Sequence, residues 1–260
     1  MRLTPLLVFS TALLFAMPSL AADEDAPGYP AQADYETIFA DLDAAAATAR
    51  AEEKLLMVVM GADWCHDSRA FLRHLADPAM QKLLASRYTV QLVNVGYYDH
   101  VRDVVAKWNV PIIYGTPTVL IIEPQSDTVL NRDSLAFWRN AASLSAEDGM
   151  DYFDDWAPGP APRPETPSPA LAEALAAIDR FEREQAERIY LGYAELGEQM
   201  REMGDERPSS GFMRSWDNLA AVRSQITVDL ARLRSTARDE AVAGVDPISL
   251  DWPSYDLFVD

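Results

Sequence analysis

The stretch best equipped for chemistry is Gly61-Ala62-Asp63-Trp64-Cys65-His66-Asp67-Ser68-Arg69, which holds the single cysteine of a 260-residue chain. It follows an apolar run, residues 55–60, that reads as a buried strand, and it opens a helical pattern through Phe71, Leu72 and Leu75. A thiol at a strand-to-helix turn lies beside unpaired backbone N–H groups and the positive end of a helix dipole, both of which favour the thiolate. A thiolate is a nucleophile toward disulfides. The alternative for a lone cysteine is a small, inert core residue.

The neighbours qualify that chemistry. His66 can act as a local base or, when protonated, favour the thiolate, while Asp63 and Asp67 oppose that effect. A solvent-facing helix residue is the plain reading of His66. A Cys-His pair also raises a metal site, but soft sites need three or four ligands. His74 and His100, the only other histidines, fall in helical patterns without ligand spacing. No metal and no cofactor is expected.

Those residues sit in a strongly acidic chain, with 22 basic against 41 acidic residues and a formal net charge of −19. Such a surface is repelled by nucleic acid and by anionic lipid, so neither is an expected partner. Residues 1–22 read as a signal peptide: Arg2, an apolar stretch from Leu6 to Leu20, and a small-x-small site at Ser19-Leu20-Ala21. The expectation is an exported, periplasmic protein with no membrane anchor after cleavage. In an oxidising compartment a lone cysteine cannot close an internal disulfide, so Cys65 is either buried or a free reactive thiol.

The elements that must position Cys65 follow in order. Residues 23–33 read as a loose acidic leader. A helix is predicted from Asp34 to Glu53, with Asp34 as N-cap, then the strand at 55–60 and the Cys65 helix. Asp77-Pro78 restarts a helix, 89–95 alternates as a strand, and His100 to Trp108 returns to helical spacing. Residues 116–122 form a strand that opens at a proline, Glu123 to Asp127 a turn, and 128–130 a returning strand. Ser145 caps a helix carrying Met150, Tyr152, Phe153 and Trp156. A helix between the strands at 55–60 and 89–95 implies a parallel pair, and the hairpin adds antiparallel ones. The class is α/β with a mixed sheet.

This order, Trp64-Cys65 at a strand-to-helix turn, and Gly115-Thr116-Pro117 before an apolar strand together resemble the thioredoxin superfamily, in particular its exported bacterial members. The resemblance spans residues 34–157. It implies a thioredoxin-like sheet flanked by helices, with Cys65 as nucleophile and Trp64 as an apolar wall beside the sulfur. It further implies that Pro117 is a cis-proline facing the cysteine and that Thr116 offers its backbone to an extended substrate segment. Two positions depart from the family's dithiol pattern. Ser68 stands where a second, resolving cysteine would be, and Val59 stands where many members bury an Asp. Ser68 can donate a hydrogen bond to the thiolate, or can be an ordinary first-turn residue. Without a second thiol, Cys65 can form a mixed disulfide but needs an outside thiol, or one on the substrate, to leave it.

Residues 158–169 form a Pro-rich linker; six prolines fall in the thirteen residues 157–169. Polyproline at about 3.1 Å per residue spans roughly 40 Å. Beyond it, Leu171, Leu175, Ile178, Phe181, Ile189, Tyr193, Leu196, Met200 and Met203 mark one helix, and Trp216, Leu219, Val222, Ile226, Leu230 and Leu233 a second. Residues 170–240 read as an α-helical hairpin whose stripe is buried against the first domain or another copy. Residues 241–260 are an acidic-aromatic tail, read as a packed arm. Two functions fit: an exported monothiol exchanging disulfides with client proteins or low-molecular-weight thiols, and a redox-inactive module binding through its groove or its C-terminal helices.

Overall fold

Seven consecutive residues of one strand, Leu55–Gly61 (β1), are all buried, because both faces of the sheet they belong to are covered. The computed structural model describes residues 28–161, 166–204 and 206–256. The signal-peptide reading at 1–22 and part of the Pro-rich linker lie outside the described residues, as do Leu257 and Phe258 of the tail. β1 pairs in parallel with Tyr88–Asn94 (β2) and antiparallel with Thr118–Glu123 (β3). β3 pairs antiparallel with Thr128–Val129 (β4), giving the order β2-β1-β3-β4. The strands at 89–95 and 116–122 are thus displaced by one and two residues, since Asn94 and Glu123 still pair while Thr116 and Pro117 belong to the turn.

Alternation along β1 sorts its side chains to two cores. Leu55, Met57 and Val59 face Phe71, Met80, Trp138 and Phe153. Leu56, Val58 and Met60 face Leu42, Val104, Ile112, Ile189, Tyr193 and Ile226. The first core is closed by helices His66–Ala76 (α2) and Pro78–Arg87 (α3), and by the last helix before the linker, Ala146–Asp154. Asp77 caps α3 by accepting the amides of Ala79 and Met80, and Ser145 and Asp148 form a capping box. The second core begins with Tyr35–Ala51 (α1), capped by Asp34, and with Arg102–Ala106 (α4). α4 is a single turn rather than a helix from 100 to 108. Asn109 takes a positive φ of 55° and ends the pattern, leaving Trp108 buried outside the helix. Ala146–Asp154 is α5.

Two long helices complete the second core, Pro169–Met203 (α6) and Ser210–Val242 (α7). α6 lies along residues 110–114, where the Tyr190 hydroxyl donates to Pro111 O at 3.1 Å and the Tyr193 hydroxyl to Ile113 O at 2.9 Å. Tyr114 donates to Glu182 at 3.0 Å, and Glu182 also accepts from Arg234 at 2.6 Å, so a buried acid ties both helices to this segment. Gly197 permits the approach: a Cβ there would stand 2.1 Å from Tyr97 O. The apolar stripe of the hairpin is buried against the domain that carries Cys65.

The described part of the tail packs as an arm. Trp252 and Tyr255 lie against Phe181, and the Tyr255 hydroxyl donates to Asp229 at 2.9 Å. At the other end, residues 28–33 are not loose. Tyr29 is 7% exposed and its amide donates to Asp63 Oδ1 at 3.0 Å, while Pro30 O accepts from Asn94. One aromatic ring is enough to dock the segment, and the acidic residues 23–25 before it hid it.

Candidate functional site

Cys65 is the N-cap of α2, with extended backbone angles (φ −86°, ψ 123°) and no side-chain capping bond. Its own carbonyl accepts the amide of Arg69, so the helix starts directly at the thiol. Cys65 is partly exposed, and its S–H donates to Thr116 O at 3.1 Å. Thr116 is followed by Pro117 across a cis peptide. Two turns 51 residues apart are therefore brought together at the sulfur.

Trp64 stands next to it, but its ring is well used. The indole N–H donates to Gly96 O at 2.8 Å, and the ring packs on Tyr97 at 6.4 Å, Tyr98 at 5.3 Å and Trp216 of α7 at 6.1 Å. The C-terminal hairpin thus covers part of the wall beside the cysteine. Thr116 is 5% exposed. Thr118 closes the same turn by donating to Gly115 O at 2.8 Å.

Ser68 is fully buried, and its Oγ accepts the Ala62 amide at 3.4 Å. No hydrogen bond joins it to Cys65 among the described residues. The Tyr29 ring enters the same space: a Cβ on Gly61 would lie 2.2 Å from the Tyr29 hydroxyl and 2.8 Å from Ser68 Oγ. Gly61 is required there by close approach. Burial pushes the Tyr29 phenol up, well above its ordinary range. Val59 is fully buried among the apolar residues on this side of the sheet.

The flanking charges are engaged away from the sulfur. Asp63 holds the Tyr29 amide, and Asp67 Oδ1 accepts the Ala142 amide at 2.9 Å. His66 is exposed. His74 Nε2 meets Ala141 O at 3.0 Å, and His100 packs edge-on against Tyr35. Among the described residues no group of three or more His, Cys, Asp or Glu is placed to hold a metal ion.

The residues that sequence reasoning missed come from outside the motif. Arg139 sits in a 3-10 segment, Phe137–Ser143, between β4 and α5. Its stem lies on Gly115, where a Cβ would stand 2.8 Å from Arg139 Cγ. Arg223 of α7 is 8% exposed and donates to the hydroxyls of Tyr193 at 3.1 Å and Tyr98 at 3.5 Å. Those two rings stack at 4.0 Å. Burial, and then the Arg223 guanidinium nearby, push the Arg139 pKa down. The only signal in the sequence was an Arg placed on the apolar stripe of α7, one residue after Val222. What the arrangement offers is a partly exposed thiol at a helix start, a turn with its backbone beside it, and a cationic, aromatic flank.

Comparison with known proteins agrees with this layout. Residues 37–124 match a family model described as thioredoxin-like. Among solved structures, a disulphide isomerase from Xylella fastidiosa Temecula1 is similar over 49% of this chain and 94% of its own, at 25% identity and a TM-score of 0.44. No curated protein matches the chain. The sheet, the turn before β3 and the matched residues make the part of the chain that carries Cys65 a thioredoxin-like domain of the thioredoxin superfamily.

Proposed function

We propose that this protein is an exported monothiol that exchanges disulfides with client proteins or low-molecular-weight thiols, including isomerisation within a client. The observation that carries the reading is the placement of the single thiol. Cys65 caps a helix, is partly exposed, and lies 3.1 Å from the carbonyl of Thr116. The match of residues 37–124 to a thioredoxin-like family model supports the same class. The leader at residues 1–22 supports export to the periplasm.

The chemistry balances without a cofactor. Cys65 loses its proton to solvent and its sulfur attacks one sulfur of a client disulfide. The client S–S bond breaks as the Cys65–client S–S bond forms, and the second client sulfur leaves as a thiolate that takes up a proton. Attack on the mixed disulfide by a different client thiol restores Cys65 and leaves a rearranged client, with no net oxidation. Attack by an outside thiol on the client sulfur restores Cys65 and leaves the client joined to that thiol; a second outside thiol then frees the client thiol and leaves the outside thiols as their own disulfide. Ser68 is buried and bound to the Ala62 amide, and in this reading it supports the turn that presents Cys65.

A second reading, a binding module without redox chemistry, draws on the packing of Trp64 against Trp216, which occupies part of the wall beside the sulfur. Alkylation of Cys65 in the folded protein separates the two. Disulfide exchange predicts that the thiol reacts in the native fold about as fast as in the unfolded chain. Protection until unfolding would favour the binding module.

A further inference from the structure

We propose that Arg139 and Arg223 form an anion-accepting subsite beside Cys65, which takes a carboxylate carried by the disulfide partner; this rests on the exchange reading above. Each arginine is one contact removed from the thiol's own neighbours. Arg139 lies on Gly115, the residue before Thr116, whose carbonyl accepts the Cys65 S–H. Arg223 donates to Tyr98, whose ring packs on Trp64, the residue before Cys65.

Among the described residues these two are the arginines that keep a buried donor without an acceptor. Arg132, Arg234, Arg201 and Arg232 all reach carboxylates. Among the described residues no carboxylate lies within ion-pairing distance of Arg139 or Arg223, although the chain carries 41 acids. Arg223 has only neutral phenols as hydrogen-bond partners, and its guanidinium stacks over the Tyr193 ring at 5.4 Å. Its Nε and Arg139 Nη1 are buried donors with no acceptor. Two cations of like sign, desolvated and short of acceptors, burden the fold unless an anion completes them. A carboxylate accepts from several guanidinium donors at once, and such charge-assisted bonds are the strong ones.

The field of the rest of the molecule sharpens the point. A net charge of −19 disfavours anionic partners at long range, so any preference for them must be local. The stacked Tyr98 and Tyr193 hold Arg223 in place, and the hairpin brings Tyr193 and Arg223 to Tyr98, so the subsite is a joint product of the two parts of the chain.

The test uses a length-matched pair of small disulfides, 4,4′-dithiodibutyrate and its neutral diamide, with single-turnover formation of the Cys65 adduct followed by mass spectrometry. The ratio of the anionic to the neutral rate isolates the charge. In Arg139→Gln or Arg223→Gln this ratio is expected to fall about tenfold, the scale of one charge-assisted hydrogen bond, with Arg223→Lys partly retaining it. An unchanged ratio in a folded Arg139→Gln protein overturns the proposal. So does an equal slowing of both disulfides, which would mean that the arginines serve the Cys65 thiolate. If the wild-type protein reacts with neither disulfide, the exchange reading is what fails. The subsite is then decided in Cys65→Ser, where 4,4′-dithiodibutyrate should raise Tm and Arg139→Gln should remove that rise. No rise in Cys65→Ser counts against the subsite.

Discussion

The two faces of the sheet are closed by different means. On the side of Leu55, Met57 and Val59, the cover comes from α2, α3, α5 and the 3-10 segment at 137–143, all between β1 and the linker, plus the single ring of Tyr29. On the side of Leu56, Val58 and Met60, α1 and α4 leave a gap, which α6 and α7 fill from a hundred residues further on. The first face presents the thiol on α2. The second supplies what surrounds it, through Trp216, Tyr193 and Arg223. A thioredoxin-like domain with this hairpin is therefore one in which the wall of the site has been rebuilt from the second face.

Perturbing each face should separate these roles. The largest effect is expected from Glu182→Ala, which leaves Arg234 only the longer contact to Asp179 and strands the Tyr114 hydroxyl at the junction of hairpin and domain. Urea unfolding should show a loss of about 3–5 kcal/mol, and a value under 1 would mean the hairpin is held by its apolar stripe alone. Tyr29→Ala acts on the opposite face by emptying the space beneath Gly61 and Ser68. It should cost about 3 kcal/mol by the same measurement, whereas Tyr29→Phe, which keeps the ring and removes only a hydroxyl beside Ser68 Oγ, should cost less.

Gly197→Val comes next. The added side chain meets Tyr97 O, so α6 must shift, with an expected loss of about 1–3 kcal/mol and a change in Trp216 fluorescence as its contact with Trp64 loosens. The smallest effect is the acid response of the arm. Burial works against the charge on Asp229, but hydrogen bonds from Gln225, Tyr255 and Arg232 together hold its carboxyl below the usual range. A depressed folded pKa adds stability above the unfolded value of about 3.9, and that stability is lost as pH falls through the folded pKa. Proteolysis near Trp252 should therefore be flat from pH 7 to 5 and quicken only below about pH 4. Quickening between pH 7 and 5 would point to another group.

The asymmetry between the faces also explains what could be read from the sequence. Local signals gave α1, β1, α2 and α3 nearly to the residue, because Asp34, Asp77 and Pro78 mark their starts and the apolar runs are continuous. The facing of Cys65 and Thr116 came from a resemblance spanning 51 residues of separation, which periodicity alone could not supply. The flank was hidden. Arg139 lies in a 3-10 segment with no helical period, and the bonds from Tyr193 to Ile113 and from Arg223 to Tyr98 join residues 80 and 125 apart. Tyr29 falls in a stretch that reads as leader because the residues before it are acidic, and one buried ring leaves no pattern. Export and the choice of client leave no trace in the packing.

The central claim is that Cys65 forms mixed disulfides from this site. Its most direct measurement is recovery of covalent adducts from the exported compartment by non-reducing electrophoresis, comparing the wild-type protein with Cys65→Ala. Adducts that release their partners on reduction and vanish in Cys65→Ala are predicted. The same bands in both proteins, or none in either, would contradict the account.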